Sequence, residues 1–238
     1  DVAATFDVAY APGDADEALD VFVPRTRTHP LTTIVWIHGG GFVAGDKSEI
    51  ANYARILAAR GYGVVTVNYT LAPEAHYPTQ LVQINRALAW VSANARRHGL
   101  DPDRIVLAGD SAGAQLAAQL ANLVTSPGYA RSVGVRPALA PAQLIGAVLF
   151  CGPYDSDYAK PAPGRKPSWF MQTVMWSYMG RKDFWNHPDI EDWSVARHVT
   201  RAFPPAFVSV GNHDPLQAHS YAMAAALRSD EALPDADT

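Results

Sequence analysis

Residues 104–117 read Arg104-Ile105-Val106-Leu107-Ala108-Gly109-Asp110-Ser111-Ala112-Gly113-Ala114-Gln115-Leu116-Ala117. The branched, apolar run 104–108 predicts a strand buried on both faces, and the apolar stretch 112–124 behind it predicts a helix. Between them stands G-x-S-x-G, which puts Ser111 on a sharp strand-to-helix turn. Such a turn projects the hydroxyl above the helix N-terminus, where backbone N–H groups can stabilise a developing oxyanion. Gly109 and Gly113 suit a turn whose flanking backbone leaves little room for side chains. A plain helix N-cap is the competing role for Ser111.

Outward from this unit, short apolar runs at 33–37, 63–67, 145–150 and 206–210 read as further buried strands. Leu81, Ile84, Leu88 and Val91 fall at helical spacing after Pro78, and Ile50, Tyr53, Ile56 and Leu57 do so after the candidate cap Asp46. Strand and helix in alternation imply right-handed crossovers, hence an α/β fold with a mainly parallel sheet and helices on both faces. Runs 5–10 and 18–23, separated by Pro12-Gly13-Asp14, predict an antiparallel hairpin at one edge.

Segments 1–152 and 202–238 are assigned to one discontinuous core, and 153–201 to an inserted helical cap. The insertion is rich in aromatic residues, and 169–179 carries Met171, Met175 and Met179 at helical spacing. Phe42, Trp169 and Trp176 are therefore the expected pocket residues, the alternatives being an ordinary core helix or a dimer contact.

Composition excludes several classes. The 238 residues are 48% hydrophobic and 18% charged, ordinary for a globular domain, and a net charge of -4 with scattered arginines gives no case for nucleic acid or an anionic membrane. No stretch approaches the ~20 apolar residues of a membrane span, and Asp1-Val2-Ala3-Ala4 reads as a processed or trimmed start, so a cytoplasmic setting is expected. The single Cys151 forbids an internal disulfide and is read as a buried strand residue. His and carboxylate residues do not cluster at ligand spacing, and the dinucleotide and P-loop patterns are missing, so neither metal nor cofactor is implied. Edge strands or a terminal helix could pair two copies into a homodimer, although no pattern specifies it.

A second glycine-rich turn, His38-Gly39-Gly40-Gly41-Phe42, follows the strand 33–37. Successive glycines expose N–H groups that can converge on one oxygen, as in the oxyanion loops of lipases and esterases; a flexible or phosphate-binding turn is the alternative. His38 is read as structural support for this loop.

At this point the residues resemble the α/β-hydrolase fold, and within it the hormone-sensitive-lipase-like esterases. The likeness rests on the His38 to Phe42 turn, on Asn68-Tyr69-Thr70-Leu71-Ala72-Pro73-Glu74 with Tyr77-Pro78, on Gly109 to Gly113, and on Val210-Gly211-Asn212-His213-Asp214-Pro215-Leu216. The resemblance implies Ser111 as nucleophile, Asp214 as triad acid, and the N–H groups of Gly40, Gly41 and Ala112 as oxyanion hole. Thr70, Gln83 and Ala114 depart from the family, which usually has Arg, often Asp and frequently Gly there. Asp-Pro alone also suits a helix cap, but the order Ser, acid, His favours Asp214, with Asp155 as the alternative acid.

The base is harder to find. The family carries it on a loop after one more strand, whereas only 24 residues follow Asp214 and none is a suitably placed His. His219 falls within a predicted helix, His213 adjoins the acid, and His187 and His198 belong to the insertion. The expectation is that a final strand, the His loop and a last helix are missing, with 233–238 as a loop tip. A non-catalytic relative, or a hydrolase wired through His219 or an insertion histidine, are the alternatives. The implied activity is a serine carboxylic ester hydrolase acting through an acyl-enzyme on small to medium acyl esters, with an amidase or formamidase of the same fold as runner-up.

Overall fold

The two strands that carry the glycine-rich turns lie side by side at the centre of one sheet. The computed structural model describes residues 1–159 and 168–229. Among them the strands are β1 (Val2–Ala9), β2 (Ala18–Pro24), β3 (Leu31–Ile37), β4 (Gly63–Val67), β5 (Leu100–Asp110), β6 (Leu144–Phe150) and β7 (Ala206–Ser209). Their order is β1-β2-β4-β3-β5-β6-β7. The pairs β4·β3, β3·β5, β5·β6 and β6·β7 are parallel, and β1·β2 and β2·β4 antiparallel, which is the hairpin-edged parallel sheet that the alternation implied.

The helices are α1 (Ala51–Ala59), α2 (Thr79–Asn94), α3 (Ala112–Thr125), α4 (Pro127–Val133), α5 (Ser156–Ala159), α6 (Trp169–Met179), α7 (Ile190–Trp193) and α8 (Gln217–Arg228). Because side chains alternate along a strand, β3 sends Val35 and Ile37 to one face and Ile34 and Trp36 to the other. The first face packs against α2 and α3, the second against α1, so both faces of the sheet are dry. Expected helix positions Leu81, Ile84, Leu88 and Val91 are all buried.

The first helix corrects the sequence reading. Asp46 caps a 3-10 turn, Lys47–Ile50, by accepting from Ser48 N–H, and α1 then buries Ala54 and Ala58. Tyr53 and Ile56, expected on the inner face, are 42% and 57% exposed. Small residues at the contact let the helix backbone lie close to the sheet, and the larger ones flank it.

Thr70 and Gln83, two departures from the family pattern, turn out to be partners. Gln83 Oε1 accepts from Thr70 N–H at 2.9 Å while its Nε2 donates to Thr70 Oγ1 at 2.8 Å, so a neutral pair stands where the resemblance implied Arg and Asp. Gln83→Asp alone buries an unpaired carboxylate near Asp14 and is expected to cost about 2 kcal/mol or more. Adding Thr70→Arg should restore at least half of that loss. Urea denaturation of the two single variants and the double variant reads the coupling, and strict additivity would sink the pairing.

Between β6 and β7 the described residues are helical, with 3-10 turns at Phe184–Asn186 and Val195–His198 besides α5, α6 and α7. Three amides one to two turns apart on α3 hold this segment: Gln115 Nε2 donates to Trp193 O at 3.0 Å, Gln119 Nε2 to Asp192 O at 3.4 Å, and Asn122 Nδ2 to Val195 O at 3.0 Å. Among the described residues β7 is the last strand, followed by α8; the expected loop tip at 233–238 lies outside the described residues.

Candidate active site

Ser111 stands in a backbone conformation that only a constrained turn maintains. Its φ and ψ are 51° and -119°, and although it occupies the N-cap position of α3, its side chain makes no capping hydrogen bond. The elbow is pinned from three sides. Ser111 N–H donates to Phe150 O at 2.8 Å, Trp36 Nε1 donates to Asp110 Oδ1 at 3.0 Å, and Gly113 approaches β3 so closely that a Cβ there would lie 2.1 Å from Ile37 O.

Facing it, the turn after β3 is held by its own first residue. His38 stacks on Tyr69 with ring centres 4.4 Å apart, its Nδ1–H donates to Gly39 O at 2.8 Å, and Tyr69 Oη donates to His38 O at 3.0 Å. Burial lowers the His38 pKa, so the ring is neutral and structural. Gly40 has φ +105° and a Cβ there would meet Ala44 O at 2.0 Å, which explains a glycine at that position. Gly40 and Gly41 N–H donate to no acceptor among the described residues, and Ala112 is the first residue of α3, where no N–H has an intrahelical partner.

A cavity of about 850 Å³ joins these pieces: Gly40, Gly41, Phe42, Ser111, Ala112 and Asp214 all line it. The expected nucleophile, acid, oxyanion set and one pocket residue are thus brought together. Phe42 is buried and stacked on Tyr178 of α6 at 3.8 Å. Trp169 and Trp176 are not part of the lining. They are 78% and 49% exposed, because α6 turns Met171, Val174 and Met175 towards the cavity and leaves its bulkiest rings outside. Phe170 also lines it, one residue from the expected Trp169.

Asp214 is half-buried, and its Oδ1 accepts from Leu216 N–H at 2.7 Å, so it fixes the start of α8 and faces the cavity as well. The alternative acid, Asp155, is committed elsewhere: Arg197 donates to its Oδ2 from Nε at 3.0 Å and to its Oδ1 from Nη2 at 2.6 Å. Cys151 is not the buried strand residue expected. It follows β6 with φ 45°, is half-buried, and lines the same cavity as Asp214. Burial and, behind it, the carboxylates of Asp214 and Asp110 push the thiol pKa up, so it stays protonated. The signal was present in the sequence: in a parallel sheet the residue just past a strand's carboxyl end is at the ligand edge.

None of the eight histidines contacts Ser111 or Asp214 through a hydrogen bond. His219 comes nearest, lining the cavity from α8, but its Nδ1 accepts from Asp155 N–H at 3.3 Å, which leaves the proton on Nε2. Burial lowers its pKa to about 4. A folded pKa below the unfolded value of 6.5 means that the unfolded chain binds the proton first. Stability from this group is therefore complete above pH 6.5 and lost as pH falls from there to about 4, by about 3 kcal/mol in all. Urea midpoints measured between pH 7 and 4 should show this slope, and His219→Gln should flatten it.

Comparison with known proteins matches the geometry. A family described as the alpha/beta hydrolase fold matches residues 34–233. This chain belongs to the α/β-hydrolase fold family. Esterase LipQ of Mycobacterium tuberculosis is 30% identical over 95% of this hydrolase-fold chain and 53% of its own length, and carboxylesterase NlhH of the same organism is 31% identical over 86% and 63%. The chain therefore spans about half to three fifths of these curated relatives. Among solved structures, an inhibited esterase B from Lactobacillus rhamnosis superposes with a TM-score of 0.84 at 25% identity, covering 98% of this chain and 74% of that one. The resemblance to the hormone-sensitive-lipase-like esterases, drawn from motifs alone, stands with these matches.

Among the described residues no group of three His, Cys, Asp or Glu side chains is arranged to hold a metal, and no helix is long and apolar enough to cross a membrane.

Proposed function

We propose that this chain forms the catalytic core of a serine carboxylic ester hydrolase that works through an acyl-enzyme on small to medium acyl esters. The observation that carries this reading is the strained Ser111 elbow opening on the same cavity as the free N–H groups of Gly40 and Gly41. Ser111 Oγ attacks the ester carbonyl, the oxyanion is held by Gly40, Gly41 and Ala112 N–H, the alcohol leaves, and water then hydrolyses the acyl-enzyme. Asp214 is the residue proposed to orient a histidine base, and among the described residues no histidine is hydrogen-bonded to it. The described part of segment 153–201 acts as a cap, with α6 roofing the acyl pocket through Met171, Val174 and Met175, while residues 160–167 of that segment lie outside the described residues. The lone Cys151 fits a reducing, cytoplasmic setting.

Hydrolysis of p-nitrophenyl acetate, butyrate, hexanoate and decanoate by the full-length natural protein, beside the matching amides and a formamide, tests the reading. Turnover of the amides or formamide with the esters untouched would favour the runner-up, and no turnover of any would favour a non-catalytic protein that binds a ligand in this cavity. Within the ester series, Met175→Trp is expected to move the preferred acyl chain shorter by about two carbons, since it fills a wholly buried lining position. Trp169→Ala, on the exposed side of the same helix, should leave the preference where it was.

A further inference from the structure

His219 has a polar atom that neither the fold nor the proposed triad uses. The residue is 2% exposed, on the first turn of α8, and its ring lines the cavity that holds Ser111. One nitrogen is fixed: a backbone N–H can only donate, so Nδ1 opposite Asp155 N–H is an acceptor and Nε2 bears the hydrogen. No hydrogen bond to that Nε2–H is found among the described residues, and the atom is not among the fully enclosed, unpaired ones, which fits a donor open to the cavity that the ring lines. The groups around the ring do not take it. Asp155 gives both carboxylate oxygens to Arg197, Tyr158 meets the ring at a tilt of 59° with centres 5.7 Å apart, and Asp214 Oδ1 accepts from Leu216 N–H. The rest of the pocket is mostly apolar, with Phe42, Met171, Val174 and Met175 in its lining. Once a ligand displaces water from a mostly apolar cavity, a donor on its wall discriminates between ligands that satisfy it and isosteres that do not.

We propose that His219 is a specificity-determining residue: its fixed Nε2–H donates to an oxygen of the substrate other than the scissile carbonyl. The substrate class follows, namely esters whose acyl or alcohol part carries an ether, carbonyl or hydroxyl oxygen over α8. This rests on the ester reading above, and it makes a plain alkanoyl ester a poorer fit than its oxygen-bearing isostere. The ring serves as an uncharged donor because burial keeps it neutral at physiological pH.

The test uses matched pairs in which an ether oxygen replaces a methylene: p-nitrophenyl 2-ethoxyacetate and 3-methoxypropanoate against p-nitrophenyl pentanoate. Intrinsic reactivity differs between these esters but cancels when the kcat/KM ratio of wild type is divided by that of a variant. The expected result is that His219→Phe lowers the ratio for at least one ether ester by about 5- to 20-fold, and that His219→Gln, which restores an N–H near the Nε2 position, recovers most of it. Equal ratios in wild type and His219→Phe would overturn the proposal. A second measurement does not depend on turnover. Two-bond ¹H–¹⁵N spectra of ¹⁵N-histidine protein should show His219 as the Nε2–H tautomer at pH 7, with its Nε2 resonance shifted by methyl 3-methoxypropanoate and not by methyl pentanoate. An Nδ1–H tautomer, or identical shifts with both esters, sinks the donor role even where hydrolysis is intact. Absence of hydrolysis with a selective Nε2 shift would instead count against the ester reading alone.

Discussion

Ser111→Ala in the full-length protein is expected to lower kcat/KM for p-nitrophenyl butyrate by about 10⁴-fold or more, leaving only what the oxyanion hole and binding supply. The same substitution should leave stability within about 0.5 kcal/mol of wild type, since the hydroxyl caps nothing in α3 and an alanine meets the same backbone strain at φ 51°. Ser111→Gly should lose activity equally yet gain about 1 kcal/mol, because glycine relieves that strain. Activity and stability thus move independently at this position, and urea denaturation beside the ester assay measures both. Residual turnover within tenfold of wild type in Ser111→Ala would remove Ser111 from the mechanism.

Gly113→Ala is expected to do the reverse, costing at least about 3 kcal/mol or preventing folding, with activity lost as a consequence. An added Cβ would lie 2.1 Å from Ile37 O and 2.5 Å from His38 O, and both are backbone atoms of the strand and turn that carry the oxyanion loop. No rotamer change can relieve that contact, so α3 must shift away from β3 and take Ser111 out of line with Gly40 and Gly41. Gly134→Ala provides the comparison: its φ is +72° but nothing lies within 4 Å of a Cβ, so only the conformational cost of about 1 kcal/mol should appear. Equal destabilisation by the two substitutions would show that close approach at Gly113 is not what holds the elbow. The yield of folded protein and its urea midpoint are sufficient readouts.

Much of this site was legible in the residues. Ser111, Asp214, Gly40, Gly41, Ala112 and Phe42 line one cavity, because each follows a strand and a parallel sheet delivers all such turns to its carboxyl edge. The candidate acid Asp214 was preferred to Asp155 by chain order, and in the structure Asp155 is occupied by Arg197. Periodicity served well where a helix presses one face on the sheet, as in α2, and failed in α6, whose exposed and cavity-facing residues are equally apolar. There Trp169 and Trp176 looked like the pocket and Phe170 and Met175 are. Thr70 and Gln83 read as two unrelated departures until the structure set them side by side.

The sequence by itself determined the order of elements and the two glycine-rich turns, because strand and helix propensity, alternation and backbone crowding are local and survive in a one-dimensional reading. Only the tertiary structure decided which ring nitrogen of His219 carries a hydrogen, that Cys151 lines the same cavity as Ser111 and Asp214, and which face of α6 meets the cavity. Those outcomes depend on what lies across a gap of a few ångström from residues remote in the chain, and such neighbours are set by packing rather than by any local pattern.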